Sequence, residues 1–170
     1  MRAMILCLLT LGLAGLLGAE SAAGIQWKAP EGWQSQGSRP MRVVTYRVPP
    51  AQGDSEAGEC AVYYFGAGQG GGVQANIDRW VGQFEDQSGK PVTAKQTYGG
   101  VSVTTVEVSG TYTGGAGPMA PAAVPQKGYK LLAAVAETPQ GSVFFKFTGP
   151  AKTVTRWQQA FHTMLRSIHK

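Results

Sequence analysis

Gly66, Gly68 and Gly71, in the run ECAVYYFGAGQGGGVQANIDRW (59–80), fit the pattern G-x-G-x-x-G. In a dinucleotide cradle those glycines permit a tight turn, and the N-terminus of the next helix faces a pyrophosphate. The residues before them read as a strand and those after as a helix. The cradle also needs a second, parallel strand ending in an acidic residue about 20 positions on. Here the helix is followed by KPVTAKQTYGG (90–100), which has no acid and runs straight into a hairpin, while Glu85 and Asp86 fall at the helix end. No G-x-x-x-x-G-K-[ST] loop occurs either. The glycines are therefore read as a permissive turn that swings a strand at 60–66 into a helix at 73–87, and no cofactor is expected. Backbone N–H groups at a helix N-terminus can still hold an anion. The polar residues at that turn, Gln69, Asn76 and Arg79, are the candidate binding residues.

Other reactive side chains are sparse. His162 and His169 stand seven apart on one stretch, too far for one ion, since helical metal pairs use a spacing of three or four. Asp54, Glu56 and Glu59 lack the alternating ligands and central glycine of an EF-hand loop. Cys60, alone once Cys7 is set aside, lies in the apolar run CAVYYF and reads as a buried structural thiol. No G-x-S-x-G elbow is present. Neither a metal site nor a catalytic residue is expected.

The elements that would carry these residues are legible from pattern. MRVVTYRVP (41–49) and CAVYYFG (60–66) are rich in β-branched and aromatic residues. The second is apolar almost throughout, as in a strand covered on both faces. Val73, Ile77, Trp80, Val81 and Phe84 recur at helical spacing, as do Val154, Trp157, Phe161, Leu165 and Ile168 near the end. Both Trp80 and Trp157 are expected to pack their helices onto a sheet. AKQTY and VSVTTVEVSGTY flank Gly99-Gly100, a hairpin signal. YKLLAAVAE and SVFFKFTG flank TPQG, a second one. The Gly/Pro/Ala-rich segment 114–128 reads as a surface loop.

Composition and ends bound the rest. The 170 residues carry a net charge of +5, scattered without a basic stripe, so nucleic acid is not expected as a partner. Residues 1–23 read as a signal peptide: Arg2, an apolar run from Ala3 to Leu17, then small residues. The cut could follow Ala19, Ser21 or Ala23, the last being preferred. No Cys follows LAG at 13–15, so no lipid anchor is expected. No further run approaches the ~20 apolar residues of a membrane span. Residues 24–170 then form one domain, expected to be an exported (periplasmic or secreted) monomer.

The run YRVP…ECAVYYFGAGQGGGVQANIDRWVGQF, the hairpins and the closing FFKFTGPAKTVTRWQQAFHTMLRSI resemble small exported bacterial proteins of the PsbP / Ran-binding Mog fold. The P-x-GW start and the F…ML-S-I end are similar to PsbP-domain proteins. The resemblance covers about residues 25–168. It implies an α+β fold with a central antiparallel sheet flanked by helices on both faces, a PsbP-like α/β/α sandwich. It also implies a binding or assembly-accessory role rather than catalysis, and it transfers no catalytic residue. The function expected is a non-enzymatic binding module for a protein or small-anion partner. The alternative is an enzyme, such as a hydrolase, whose site would show as a concave pocket with convergent polar groups and a shifted titratable group.

Overall fold

The computed structural model describes residues 19–114 and 124–170. Two short strands, β1 (Glu20–Ala22) and β2 (Ile25–Trp27), form an antiparallel hairpin. The remaining strands are β3 (Gln34–Ser35), β4 (Arg42–Val48), β5 (Gly58–Tyr64), β6 (Phe84–Glu85), β7 (Val92–Tyr98), β8 (Val101–Tyr112), β9 (Gln126–Thr138) and β10 (Gly141–Pro150). They join in one sheet of order β3-β4-β5-β10-β9-β8-β6, with β7 also on β8. Every pairing in it is antiparallel. The two helices are α1 (Val73–Val81) and α2 (Ala151–Arg166).

The expected hairpins form where the glycines require them. Gly99 and Gly100 both have positive φ, +52° and +76°, the conformation a two-residue β-turn needs. Between β9 and β10, the Thr138 hydroxyl donates to the Gly141 carbonyl and accepts from the Gln140 N–H, tying the TPQG turn. Of the loop expected at 114–128, residues 115–123 lie outside the described residues. Gln126 to Gly128 are not loop but already strand β9, paired near Tyr112.

Side-chain alternation splits the core in two. Leu132, Ala134, Phe145 and Phe147 face α2 and the β1–β2 hairpin, with Trp27 edge-on to Phe145 at 5.2 Å. Leu131, Ala133, Val135 and Phe144 face the other way, toward Ile77 and Trp80 of α1. The two clusters differ in how far they are covered. Helix α2 runs 16 residues and its N-terminus is closed by a distant loop, Asp54 accepting from the Thr153 N–H (2.9 Å) and hydroxyl (2.6 Å). Helix α1 has only nine residues. The expected helix over 73–87 stops at Val81, because Gly82 ends it and Phe84–Glu85 are drawn into pairing with Tyr112 and Thr111 of β8. The expected α/β/α sandwich is accordingly corrected. The chain is α+β, but the large sheet dominates, and the face under α1 has no full helical layer.

The two expected tryptophan anchors part company. Trp80 is buried, edge-on to Phe144 at 6.4 Å. Trp157 is half-buried and leans on Trp33 at 6.4 Å, its indole N–H donating to the Pro49 carbonyl at 2.9 Å. It anchors α2 to the loops beside the sheet rather than to the sheet itself.

Candidate functional site

The part of the sheet that α1 leaves uncovered is a cleft of about 640 Å³. Its floor comes from alternate residues of two central strands. Glu59, Ala61 and Tyr63 of β5 pair with Thr148, Lys146 and Phe144 of β10. Lys146 has Ala61 as its neighbour on β5 and Ala133 on β9. Two small side chains thus make room for one long cation. Trp80, Arg79 and Gln83 from the α1 end and Tyr112 from β8 line one side, and the Pro40–Met41 turn and Arg42 line the side toward β4.

Lys146 is the centre of this arrangement. Its ammonium donates to Gln83 Oε1 at 2.8 Å and Tyr112 Oη at 3.1 Å, and it lies 5.3 Å from the centroid of the Tyr112 ring. Burial, reinforced by the nearby Arg79 charge, lowers its pKa from 10.5 to about 8. The same burial raises the hydroxyl pKa values of Tyr63 and Tyr112.

Arg42 reaches the cleft through a backbone irregularity. Arg42 is opposite Tyr63 and Val44 is opposite Val62, so the register shifts by one at Val43. Without that bulge Arg42 would share the face of Val44, which lies in the α2-side core. The bulge turns it over. Its guanidinium stands 5.3 Å above the Tyr63 ring and pairs with Glu59 at 3.0 Å. Just before it, Arg39 and Arg42 close a tight turn by reciprocal backbone bonds. Met41 in that turn has φ +64° and is 69% exposed. A non-glycine residue held there is strained, and such outliers cluster at functional sites.

The glycine turn serves this region as a packing device. Gly66, Gly68 and Gly71 all have positive φ. The sterically restricted position, though, is Gly70, where a Cβ would come within 2.7 Å of the Phe144 ring and 2.8 Å of Phe65. The helix after the turn leads into β6, antiparallel to β8, not into the parallel strand a dinucleotide site requires. Asn76 is fully buried and donates to the Gly70 and Gly72 carbonyls, both at 2.9 Å, while its oxygen accepts from Arg79. Asn76 and Arg79 are therefore brought together, Asn76 as the brace of the turn and Arg79 at the cleft. Gln69 is exposed in the turn and is not among the cleft residues.

The other sequence candidates disperse. Asp54 caps α2, Glu56 accepts from the Tyr129 hydroxyl, and Glu59 pairs with Arg42. Cys60 is wholly buried, and desolvation raises its thiol well above the usual range. His169 bonds through its backbone to Gln26, which ties the chain end to the N-terminal hairpin. A smaller hollow of about 250 Å³ sits near Gln36, Arg47 and Glu59 and contains no buried cation. Sequence reasoning missed Arg42, Tyr63, Gln83, Tyr112 and Lys146. One signal was there for Lys146: in SVFFKFT it is the one charge inside an apolar strand, at an inward position of the alternation.

No family model and no curated protein sequence matches the chain. Several solved structures do match, two of which follow. Cyanobacterial PsbP (CyanoP) from Synechocystis is 15% identical, with a TM-score of 0.52 over 95% of this chain and 98% of that one. PA94, a protein of unknown function from Pseudomonas aeruginosa, is 9% identical, with a TM-score of 0.51 over 88% of this chain and 94% of that one. Identities this low carry fold and nothing more, and the fold of this chain is PsbP-like.

Proposed function

We propose that this chain is an exported, non-enzymatic binding module that holds its partner in the cleft around Lys146. The observation that carries the reading is the cleft itself. Its volume falls within the roughly 300–1,000 Å³ of sites that hold small ligands, and its few polar groups converge on one buried amine. Among the described residues its one carboxylate, Glu59, is already engaged with Arg42. Among the described residues that line it there is no histidine or cysteine. Its signal-like N-terminal run supports export, and no helix among the described residues is long and apolar enough to cross a membrane.

One observation favours a second reading, an enzyme. A lysine whose pKa lies near 8 is partly neutral at working pH and can serve as base or nucleophile. The two readings separate by experiment. Native mass spectrometry of the protein purified from its own source should show a retained species in the wild type that is lost in Lys146→Met and in Arg79→Gln. The same species at the same occupancy in all three proteins would remove the cleft from consideration. A species recovered chemically altered after incubation with wild type, and unaltered with Lys146→Met, would establish the enzyme instead.

A further inference from the structure

The charges of the cleft do not balance. Arg42 and Glu59 neutralise each other at 3.0 Å. Arg79 and Lys146 have only neutral partners: Asn76 for the first, Gln83 and Tyr112 for the second. Among the described residues neither pairs with a carboxylate. Two cations that repel each other thus share one hollow, and one of them is largely removed from water. A buried charge without a counter-charge is costly and usually signals a missing partner.

The walls say what kind of partner. Tyr63 and Phe65, both half-buried, stack within 16° at 5.9 Å, backed by the buried Phe144 and Trp80. These aromatic surfaces match a flat apolar body. The volume, about 640 Å³, greatly exceeds an inorganic anion. Lys146 is sunk in the hollow while Arg79 is exposed at its rim, a depth that suits a small ligand rather than a broad macromolecular surface.

From this juxtaposition we infer that the cleft takes a small aromatic or conjugated carboxylate, its anionic group against Lys146 and Arg79 and its flat body against Tyr63 and Phe65. This rests on the reading of the cleft as the binding site. The carboxylate would accept from both cations, and charge-assisted bonds of that kind are about twice as strong as neutral ones.

The test uses three probes on the isotope-labelled full domain, followed by amide chemical shifts: 2-naphthoate, its neutral counterpart 2-naphthalenemethanol, and inorganic phosphate. Naphthoate should shift the amides around Ala61, Tyr63, Trp80 and Lys146, and bind at least about tenfold more tightly than either of the others. Lys146→Met and Arg79→Gln should each weaken naphthoate about tenfold, and Lys146→Arg should recover part of the loss. The same spectra report that each variant is folded. Equal affinity for naphthoate and its alcohol, or no loss in either variant, would overturn the anionic class and leave the cleft standing as a site. Shifts confined to residues outside the cleft for all three probes would overturn the cleft reading with it.

Discussion

The ammonium of Lys146 on β10 lies 3.1 Å from the hydroxyl of Tyr112 on β8, two strands away across β9, with the Tyr112 ring 5.3 Å from the same nitrogen. The contact runs diagonally across β9, since Lys146 lies beside Ala133 while Tyr112 lies opposite Gln126. Arg79, Arg42 and Glu59 supply the other charges around the amine.

That amine makes stability depend on pH in a definite direction. The folded state lowers the Lys146 pKa from 10.5 to about 8. Below pH 8 the lysine is protonated in both states, and the folded protein bears the full cost of the buried charge. Between about pH 8 and 10.5 the unfolded chain holds more protons, so this group adds stability as pH rises. Lys146→Met lacks the contribution. Its advantage over wild type in thermal melting should be largest near pH 7 and shrink toward pH 10, by at most about 3 kcal/mol and less where solvent still reaches the amine. A difference that stays flat across that range would contradict the burial of the charge.

Met41 holds a positive φ that glycine adopts freely. Met41→Gly should raise stability by up to about 1 kcal/mol in denaturant unfolding. Because Met41 lines the cleft, the same variant should bind naphthoate more weakly. A stabilised protein with unchanged binding would assign the strain to the turn alone.

Trp80 and Trp157 should respond differently. Trp80→Ala empties a buried site against Phe144 and should cost about 3–5 kcal/mol. Trp157→Phe keeps most of the half-buried surface and loses the bond to the Pro49 carbonyl, so about 1 kcal/mol is expected. Equal losses in chemical denaturation would mean that the α2 contact is as deep as the α1 contact.

Asn76 braces the glycine turn through two carbonyls. Asn76→Ala takes the side-chain donor from the Gly70 carbonyl, while Gly72 keeps the backbone N–H of residue 76, and should cost about 1–3 kcal/mol. Amide exchange should quicken at residues 66–76 before the rest of the sheet. Exchange unchanged in that segment would show that the turn is held by Gly70 packing on Phe144 alone.

The N-terminal boundary is also open to measurement. Glu20 to Ala22 pair with β2, and the Ala23 carbonyl lies 2.9 Å from the Thr138 hydroxyl oxygen. A chain starting at Gly24 loses both, whereas one starting at Glu20 keeps them. The shorter chain should melt several degrees lower, and identical melting would make β1 dispensable.

Much of the architecture was readable along the chain because it depends on neighbours in sequence. Gly99-Gly100 and TPQG set two hairpins through local φ and hydrogen bonding. The apolar stripes through Ile77 and Trp80, and through Val154, Phe161 and Leu165, reported helical burial directly. Helix α1 was drawn too long because Phe84 continues its apolar period, and only the pairing of Phe84 with Tyr112, 28 positions on, removes it from the helix.

The cleft was beyond the reach of such reasoning. Arg42, by its parity with Val44, reads as facing the α2 side, and the reversal comes from a bulge that exists only once β4 pairs with β5. Tyr112, Lys146 and Arg79 carry no shared spacing, since they arrive from β8, β10 and α1. The candidates that local pattern did suggest met mixed ends. Asn76 was consumed by the fold, Gln69 stayed in solvent, and Arg79 alone reached the cleft. Local pattern reports which face of an element is apolar. It does not report which of the polar residues will share a hollow, because that depends on the order of strands in the sheet, and strand order is set by contacts between residues distant in the chain.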